Sequence, residues 1–210
     1  MNWPTVIVDD FFENPDDILK EAKKQKYNKG TKYPGYRSGP LHVSNHNLFN
    51  YINKKVLAIL YPNNHNTLSY ESSVEFCKVP NNMPSDGWVH HDHSQITFII
   101  YLNKDIDIGT SIFKRSKPGV TDIHYEKKQS YFLRPSLDVT KQRQENNDQF
   151  IETASIKGIY NRLIMFDCKQ FHTAHINNTD FERYTLLGFM HKIWDQNTML
   201  SYPIPESKRI

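Results

Sequence analysis

Apolar positions along this chain recur first at helical spacing and then at alternate residues, and the change falls near residue 67. Residues 5–12 (Thr-Val-Ile-Val-Asp-Asp-Phe-Phe) read as a short strand entering a turn. Asn14-Pro15 has the form of an N-cap followed by proline at the first helical position, and Asp16, Asp17 and Glu21 suit the positive end of a helix dipole. Ile18, Leu19 and Ala22 give this helix its apolar face, and it ends near Gln25. Residues 26–40 form a loop rich in Gly, Pro and Tyr, centred on Tyr33-Pro34-Gly35-Tyr36-Arg37. A packed surface loop is one reading; a pocket edge built from Tyr33, Tyr36 or Arg37 is the other. A second helix runs from Ser44 or Asn45 to Tyr61, with Leu48, Ile52, Val56, Ile59 and Leu60 on its buried face and Pro62-Asn63-Asn64 as its stop.

From Thr67 to Val79 the apolar residues alternate (Leu68, Tyr70, Val74, Phe76), which predicts strand. A turn cluster, Pro80–Gly87, leads to Trp88. Strand follows over Gln95–Asn103, then a loop over Lys104–Gly109, a strand over Thr110–Phe113 and a turn at Pro118-Gly119. Residues 135–153 are polar and read as an insertion or a surface helix. Ile156–Phe166 reads as one strand, continuously apolar at its end. After it come the cluster Phe171–His175, a turn at Asn177–Asp180 and a last strand over Phe181–Lys192. The domain expectation is one unit over residues 1–194, with its polar insertion near 135–153, and a C-terminal tail over 195–210. Two helices followed by about eight strands is an α+β order. It suits a double-stranded β-helix (jelly-roll) with the N-terminal helices packed on one sheet.

Composition narrows the classes. A chain of 210 residues is long enough for one full core. No run approaches 18 consecutive apolar residues, so no transmembrane helix is expected. The N-terminus lacks a basic segment leading into an apolar one, and the two cysteines, Cys77 and Cys168, read as reduced thiols. The expected location is therefore cytoplasmic. A net charge of +3, with bases and acids interspersed, gives no phosphate-binding stripe. Histidine is the informative residue: five of the ten fall at 90–93 and 172–175.

His90 and Asp92 are two positions apart at the start of an apolar strand, so they can face one point. An imidazole and a carboxylate placed so are two thirds of the 2-His-1-carboxylate triad that holds Fe(II). His172 completes it, with His175 as the competitor. His172 follows directly on the turn after Phe166, and pairing of residues 172–176 with 181–186 would place Arg183 beside it. There the Arg183 guanidinium can bind the far carboxylate of a 2-oxo acid on the metal through two charge-assisted bonds, with Thr185 donating a third. His91 and His93 point to the other face. The rival assignment joins His91 and His93 with His172 or His175 in an all-histidine site of the cupin kind, binding Zn, Mn or Fe without 2-oxoglutarate. A catalytically silent jelly-roll is the third possibility. His42, His46 and His65 read as surface residues, and Cys168 as a packed thiol.

His90-x-Asp92, Ile100-Tyr-Leu-Asn103, Asn161-Arg-Leu-Ile-Met-Phe166, His172 and Arg183-Tyr-Thr185 together resemble the 2-oxoglutarate/Fe(II)-dependent oxygenases. They are most similar to the prolyl-4-hydroxylase-like branch and to its small members in phage and bacterial genomes. The resemblance spans roughly residues 5–192; one departure is Ile108-Gly109-Thr110, where the family often carries Gly-Gly-Thr. It implies Fe(II) on His90, Asp92 and His172, 2-oxoglutarate and O2 as co-substrates, and Arg183 on the distal carboxylate. The implied reaction is hydroxylation of an unidentified substrate (peptidyl proline, another protein side chain, or a small molecule) with release of succinate and CO2. Asp92 at the ligand position sets the chain apart from the halogenating relatives, which carry a small residue there. Tyr33, Tyr36, Arg37 and Trp88 are expected to edge the substrate pocket. No membrane partner is implied, and nucleic acid is not expected.

Overall fold

The computed structural model describes residues 4–29, 33, 35–81, 87–104, 108–118, 137–176 and 181–198. Proline opens the first helix, Pro15–Lys24 (α1), with Asp16 and Asp17 in its first turn and Lys23 and Lys24 in its last. Asn14 caps it through its backbone alone, its carbonyl accepting from the Asp17 N–H at 3.2 Å. The main helix is His46–Leu60 (α3), preceded by one short turn at Leu41–Ser44 (α2). The Asn45 side chain accepts from the Leu48 N–H at 3.0 Å, an N-cap of the expected kind. Phe49, Ile52, Val56, Leu57 and Leu60 form the buried face of α3.

The strands are Val6–Val8 (β1), Asn28–Lys29 (β2), Tyr36–Arg37 (β3), Leu68–Val79 (β4), Ile96–Tyr101 (β5), Ile108–Arg115 (β6), Phe150–Lys157 (β7), Leu163–Asp167 (β8), Phe171–Ile176 (β9) and Arg183–Asp195 (β10). A further helix, Leu137–Asn147 (α4), lies between β6 and β7. The strands form two antiparallel sheets, β1-β8-β5-β10-β4-β3-β2 and β7-β6-β9. Side-chain parity assigns the faces of the large sheet. Phe76, Phe98, Ile100, Met165 and Leu186 point one way and pack with Ile52, Val56, Leu57 and Leu60 of α3. Tyr101, Ile164 and Phe166 point the other way and join Ile108, Ile112 and Ile156 of the small sheet. The helices therefore cover the outer face of the large sheet, and the inner face is left for a site. Each of these fully buried apolar side chains contributes about 1.5–3 kcal/mol.

Three expectations change. Ile156–Phe166 is not one strand: β7 and β8 belong to different sheets, and the chain turns between them. Asn161 makes that turn in the left-handed region, φ 64°, a conformation asparagine tolerates because its short side chain bonds locally. Here its amide is tied to the backbone of Phe12, accepting from the N–H and donating to the carbonyl, both at 2.9 Å. Secondly, β9 and β10 do not pair. β9 pairs with β6, while β10 lies between β4 and β5, so Arg183 and His172 line one cavity from different sheets and are not neighbours along a hairpin. The intended turn, residues 177–180, lies outside the described residues. Thirdly, the loop over 26–40 contains β2 and β3, which extend the edge of the large sheet. The polar stretch near 135–153 holds α4 and, from Phe150, part of β7; of the tail, only residues up to 198 are described. Among the described residues no helix is long and apolar enough to cross a membrane.

Candidate metal and co-substrate site

His90 and His172 face each other across an isolated antiparallel bridge, exchanging backbone bonds of 3.1 and 2.8 Å. Paired residues project to one side of a ladder, and the two imidazole centroids lie 4.5 Å apart. Asp92 follows in irregular chain, not in strand; its N–H donates to the Cys168 carbonyl at 2.8 Å and fixes its position. Its carboxylate comes to 3.4 Å from His172 Nε2 and 3.8 Å from His90 Nε2. The three donor atoms all lie within 4.8 Å of one another.

Hydrogen bonding sets the tautomers. His90 Nδ1 is 2.7 Å from the Trp88 carbonyl and His172 Nδ1 is 2.9 Å from the Gln170 carbonyl. A carbonyl only accepts, so each Nδ1 carries a proton and Nε2 faces Asp92, as a lone pair whenever the ring is neutral. Two such lone pairs and a carboxylate repel one another unless a cation or proton sits between them. Two imidazoles and one carboxylate suit a divalent transition metal, and second bonds from Nδ1 to backbone orient such ligands. With a proton on the facing rings, His172 and His90 join the Thr97 hydroxyl in outweighing the burial that pushes the Asp92 carboxyl up, and hold it well below the ordinary carboxylate range. Thr97 Oγ1 donates to Asp92 Oδ2 at 2.8 Å and lies 3.1 Å from Cys168 Sγ. Burial pushes the Cys168 thiol up to about 12, so it stays protonated.

The triad opens on a cavity of about 390 Å³ between the sheets, within the range of small-molecule sites. Arg183 lines it, only 8% exposed, and its Nε has no hydrogen-bond partner. Among the described residues no carboxylate pairs with it. Burial pulls the Arg183 pKa down, yet a guanidinium remains charged at neutral pH. An unmatched buried cation is costly, and its own geometry fits a carboxylate edge-on. Beside it, Arg37, Cys77, Thr185 and Tyr101 lie in register across β3, β4, β10 and β5 and share the inner face. The Tyr101 hydroxyl bonds Thr110 Oγ1 at 2.8 Å, and burial pushes its pKa up to about 12. Ile99, Leu187, Phe189 and Trp88 supply apolar wall.

The structure thus gathers His90, Asp92, His172, Arg183 and Thr185 around one cavity. Tyr33, Arg37 and Trp88 also line it, with Arg37 stacked 3.7 Å over Tyr33 and 3.4 Å from Glu75; Tyr36 is not among the lining residues. His91 meets His93 and Phe171, and among the described residues neither His91 nor His93 joins His172 in a group that could hold a metal. His175 sits opposite Gly109 in β9, and its side chain lies outside the described residues. Sequence reading missed Thr97, Tyr101 and Thr110. Alternation along β5 was the available signal, since residues 97, 99 and 101 share a face. It also missed Asn146 and Asn147, which reach back from α4 to hold the Val89 carbonyl and N–H at 3.0 and 2.9 Å, one residue before His90.

The fold is similar to those of several solved structures. A prolyl-4-hydroxylase from Pseudomonas putida aligns with TM-score 0.55 at 12% identity, over 89% of this chain and 91% of that one. HygX from Streptomyces hygroscopicus, solved with nickel and 2-oxoglutarate, aligns with TM-score 0.60 at 10% identity, over 89% and 82%. A prolyl hydroxylase from Trichoplax adhaerens, in complex with a hypoxia-inducible-factor peptide, aligns with TM-score 0.54 at 12% identity, over 89% and 83%. At such identities the likeness establishes the fold. No curated protein matches the sequence. The family of unknown function DUF6445 matches residues 2–184, and the chain belongs to that family.

Proposed function

We propose that this protein is a non-haem Fe(II)- and 2-oxoglutarate-dependent oxygenase, its two sheets forming the halves of a double-stranded β-helix. The observation that carries the reading is Arg183, a buried guanidinium whose Nε has no hydrogen-bond partner and which pairs with no carboxylate among the described residues, in the same cavity as a His-Asp-His cluster. A metal alone would explain the cluster and leave the arginine unexplained. A 2-oxo dicarboxylate explains both, since one end meets the metal and the other needs a fixed cation.

In this reading His90, Asp92 and His172 would hold Fe(II), three protein ligands that leave it free to take co-substrates. When bound, the iron activates O2 at the expense of 2-oxoglutarate, giving succinate and CO2 and oxidising a C–H bond of the substrate. The protein's part is positional. Arg183 anchors the distal carboxylate, with Thr185 two residues along the same face; Tyr101 stays protonated and orients Thr110. Ile99, Leu187 and Phe189 exclude water from the reacting end. The outcome is hydroxylation of a protein side chain, peptidyl proline included, or of a small molecule.

Anaerobic titration of the Fe(II)-loaded protein with 2-oxoglutarate tests this. A visible charge-transfer band is expected in wild type and not in H172A, and succinate should form slowly on admitting O2. Iron-loaded protein that gives neither band nor succinate would overturn the proposal.

A further inference from the structure

The chain over residues 87–90 lies between β9 on one edge and the end of α4 on the other. Trp88 and Val89 are each 1% exposed, so their backbone polar groups need partners inside the protein. Two planar peptide units link the two edges. In the first, the Val89 N–H donates to Asn147 Oδ1 at 2.9 Å, while the Trp88 carbonyl accepts from His90 Nδ1 at 2.7 Å. In the second, the Val89 carbonyl accepts from Asn146 Nδ2 at 3.0 Å, while the His90 N–H donates to the His172 carbonyl at 3.1 Å. Asn147 Nδ2 also donates to the Gly87 carbonyl at 3.0 Å, and Asn146 Nδ2 reaches Asn147 Oδ1 at 3.1 Å. The two amides thus stand where a further strand would pair with an open edge. Over residues 140–147 of α4 only Asn146 is buried, so this end of the helix is held by amides and not by an apolar face. The chain just past it is pinned, the Gln149 carbonyl accepting from the Ser116 N–H at 2.9 Å.

We infer that Asn146 and Asn147 are positioning residues for the metal site: gripping two consecutive peptides from outside, they aim the His90 ring and hold it against His172. The inference rests on the metal reading above and goes beyond it, giving a polar helix that supplies no ligand a part in holding the cation. Each asparagine acts through one rigid group. Asn147 reaches ring Nδ1 through the 88–89 peptide, and Asn146 reaches the His90–His172 bridge through the 89–90 peptide. Hydrogen bonds in line polarise one another, so each outer bond strengthens the inner one. With the Asn147 bond gone the 88–89 peptide can tilt, and the Trp88 carbonyl carries His90 Nδ1 with it, turning Nε2 away from Asp92. His172 takes its orientation from the Gln170 carbonyl instead, so the loss of Asn147 falls on one ligand alone.

The test uses Co(II) as probe and needs no turnover. Affinity is read by calorimetry, and the exchangeable Nδ1–H of each bound imidazole is read in the Co(II)-shifted proton spectrum. Asn147→Ala should weaken Co(II) binding about two- to tenfold. It should also shift one Nδ1–H signal and speed its exchange with solvent, leaving the other in place. Asn147→Asp, which keeps the acceptor for the Val89 N–H, should restore both readouts. Asn146→Ala should weaken binding by a similar factor and speed hydrogen exchange at the His90 amide. A role in stability alone would lower Tm and leave affinity and both ring signals unchanged; that result in folded N147A would overturn the inference. Should N147A fail to fold, a folded N146A with wild-type affinity and an unchanged His90 amide would overturn it instead. Wild type that binds no Co(II), or H172A that binds as tightly as wild type, would sink the metal reading and this inference together. N147A matching wild type would remove this inference and leave the metal reading standing.

Discussion

Replacing Arg183 with Met separates two quantities that most active-site substitutions move together. The guanidinium is 8% exposed, bonded to nothing through Nε and unmatched by any described carboxylate. Methionine has comparable length and no charge. Without a ligand, replacing buried charge by apolar volume stabilises a fold by about 1–4 kcal/mol. For a chain of this length that is about 2–15 °C in Tm. With 2-oxoglutarate present the sign reverses. Two charge-assisted bonds, each about 1.5–3 kcal/mol, are lost, and affinity should fall by about 10²–10⁴ at 1.4 kcal/mol per tenfold. The assay pairs scanning calorimetry of metal-free protein with anaerobic 2-oxoglutarate titration of the Fe(II) form. Arg183→Met should melt higher than wild type when free, and should gain nothing from 2-oxoglutarate while wild type rises with ligand concentration. An R183M protein that melts lower than wild type and still binds 2-oxoglutarate normally would refute the reasoning at both steps.

Other outcomes follow from the same physics. Asn161→Ala removes the amide that makes the left-handed backbone tolerable and orphans the Phe12 N–H and carbonyl; about 3–5 kcal/mol should be lost, and a loss under about 1 kcal/mol in urea unfolding would contradict that account. Asn161→Gly should recover the backbone part alone. Burial raises both thiol pKa values, Cys168 to about 12; because a raised pKa lowers the thiolate fraction below that pH, iodoacetamide at pH 8 should modify neither in folded protein and both in urea. Chelator treatment of metal-loaded protein should lower Tm in wild type and leave H172A unmoved, which differential scanning would show.

The metal half of the site is readable in sequence because its ligands lie close together and the code is short. His90 and Asp92 sit two apart, and His172 follows a buried apolar strand. The reason supplied by strand parity is only half the physical one. His90 is in ladder contact, but Asp92 sits in irregular chain and is aimed by the Cys168 carbonyl, a contact between residues far apart in sequence. Helices α1 and α3 are legible through Pro15, Asn45 and their periodic faces, which act locally. What fails is connectivity at breaks. Gly158 and Asn161 sit between β7 and β8, yet an apolar run on either side reads as continuous until the left-handed turn is seen. Arg183 was legible as a residue and misplaced as a neighbour. Its strand is long enough to pair with both β4 and β5, which leaves no edge for β9.

The bridge between His90 and His172 also makes the two ligands share one mechanical fate. Each amide is the other's hydrogen-bond donor, so the seam opens for both or for neither. Opening that seam dissolves the ligand set in a single event, and cation binding must close it again. Metal uptake should therefore slow hydrogen exchange at these two amides by a common factor, while the Leu163–Asp167 strand, buried between β1 and β5, exchanges at the pace of whole-molecule unfolding. The cation, in this view, is a latch on the boundary between two sheets as much as a reagent.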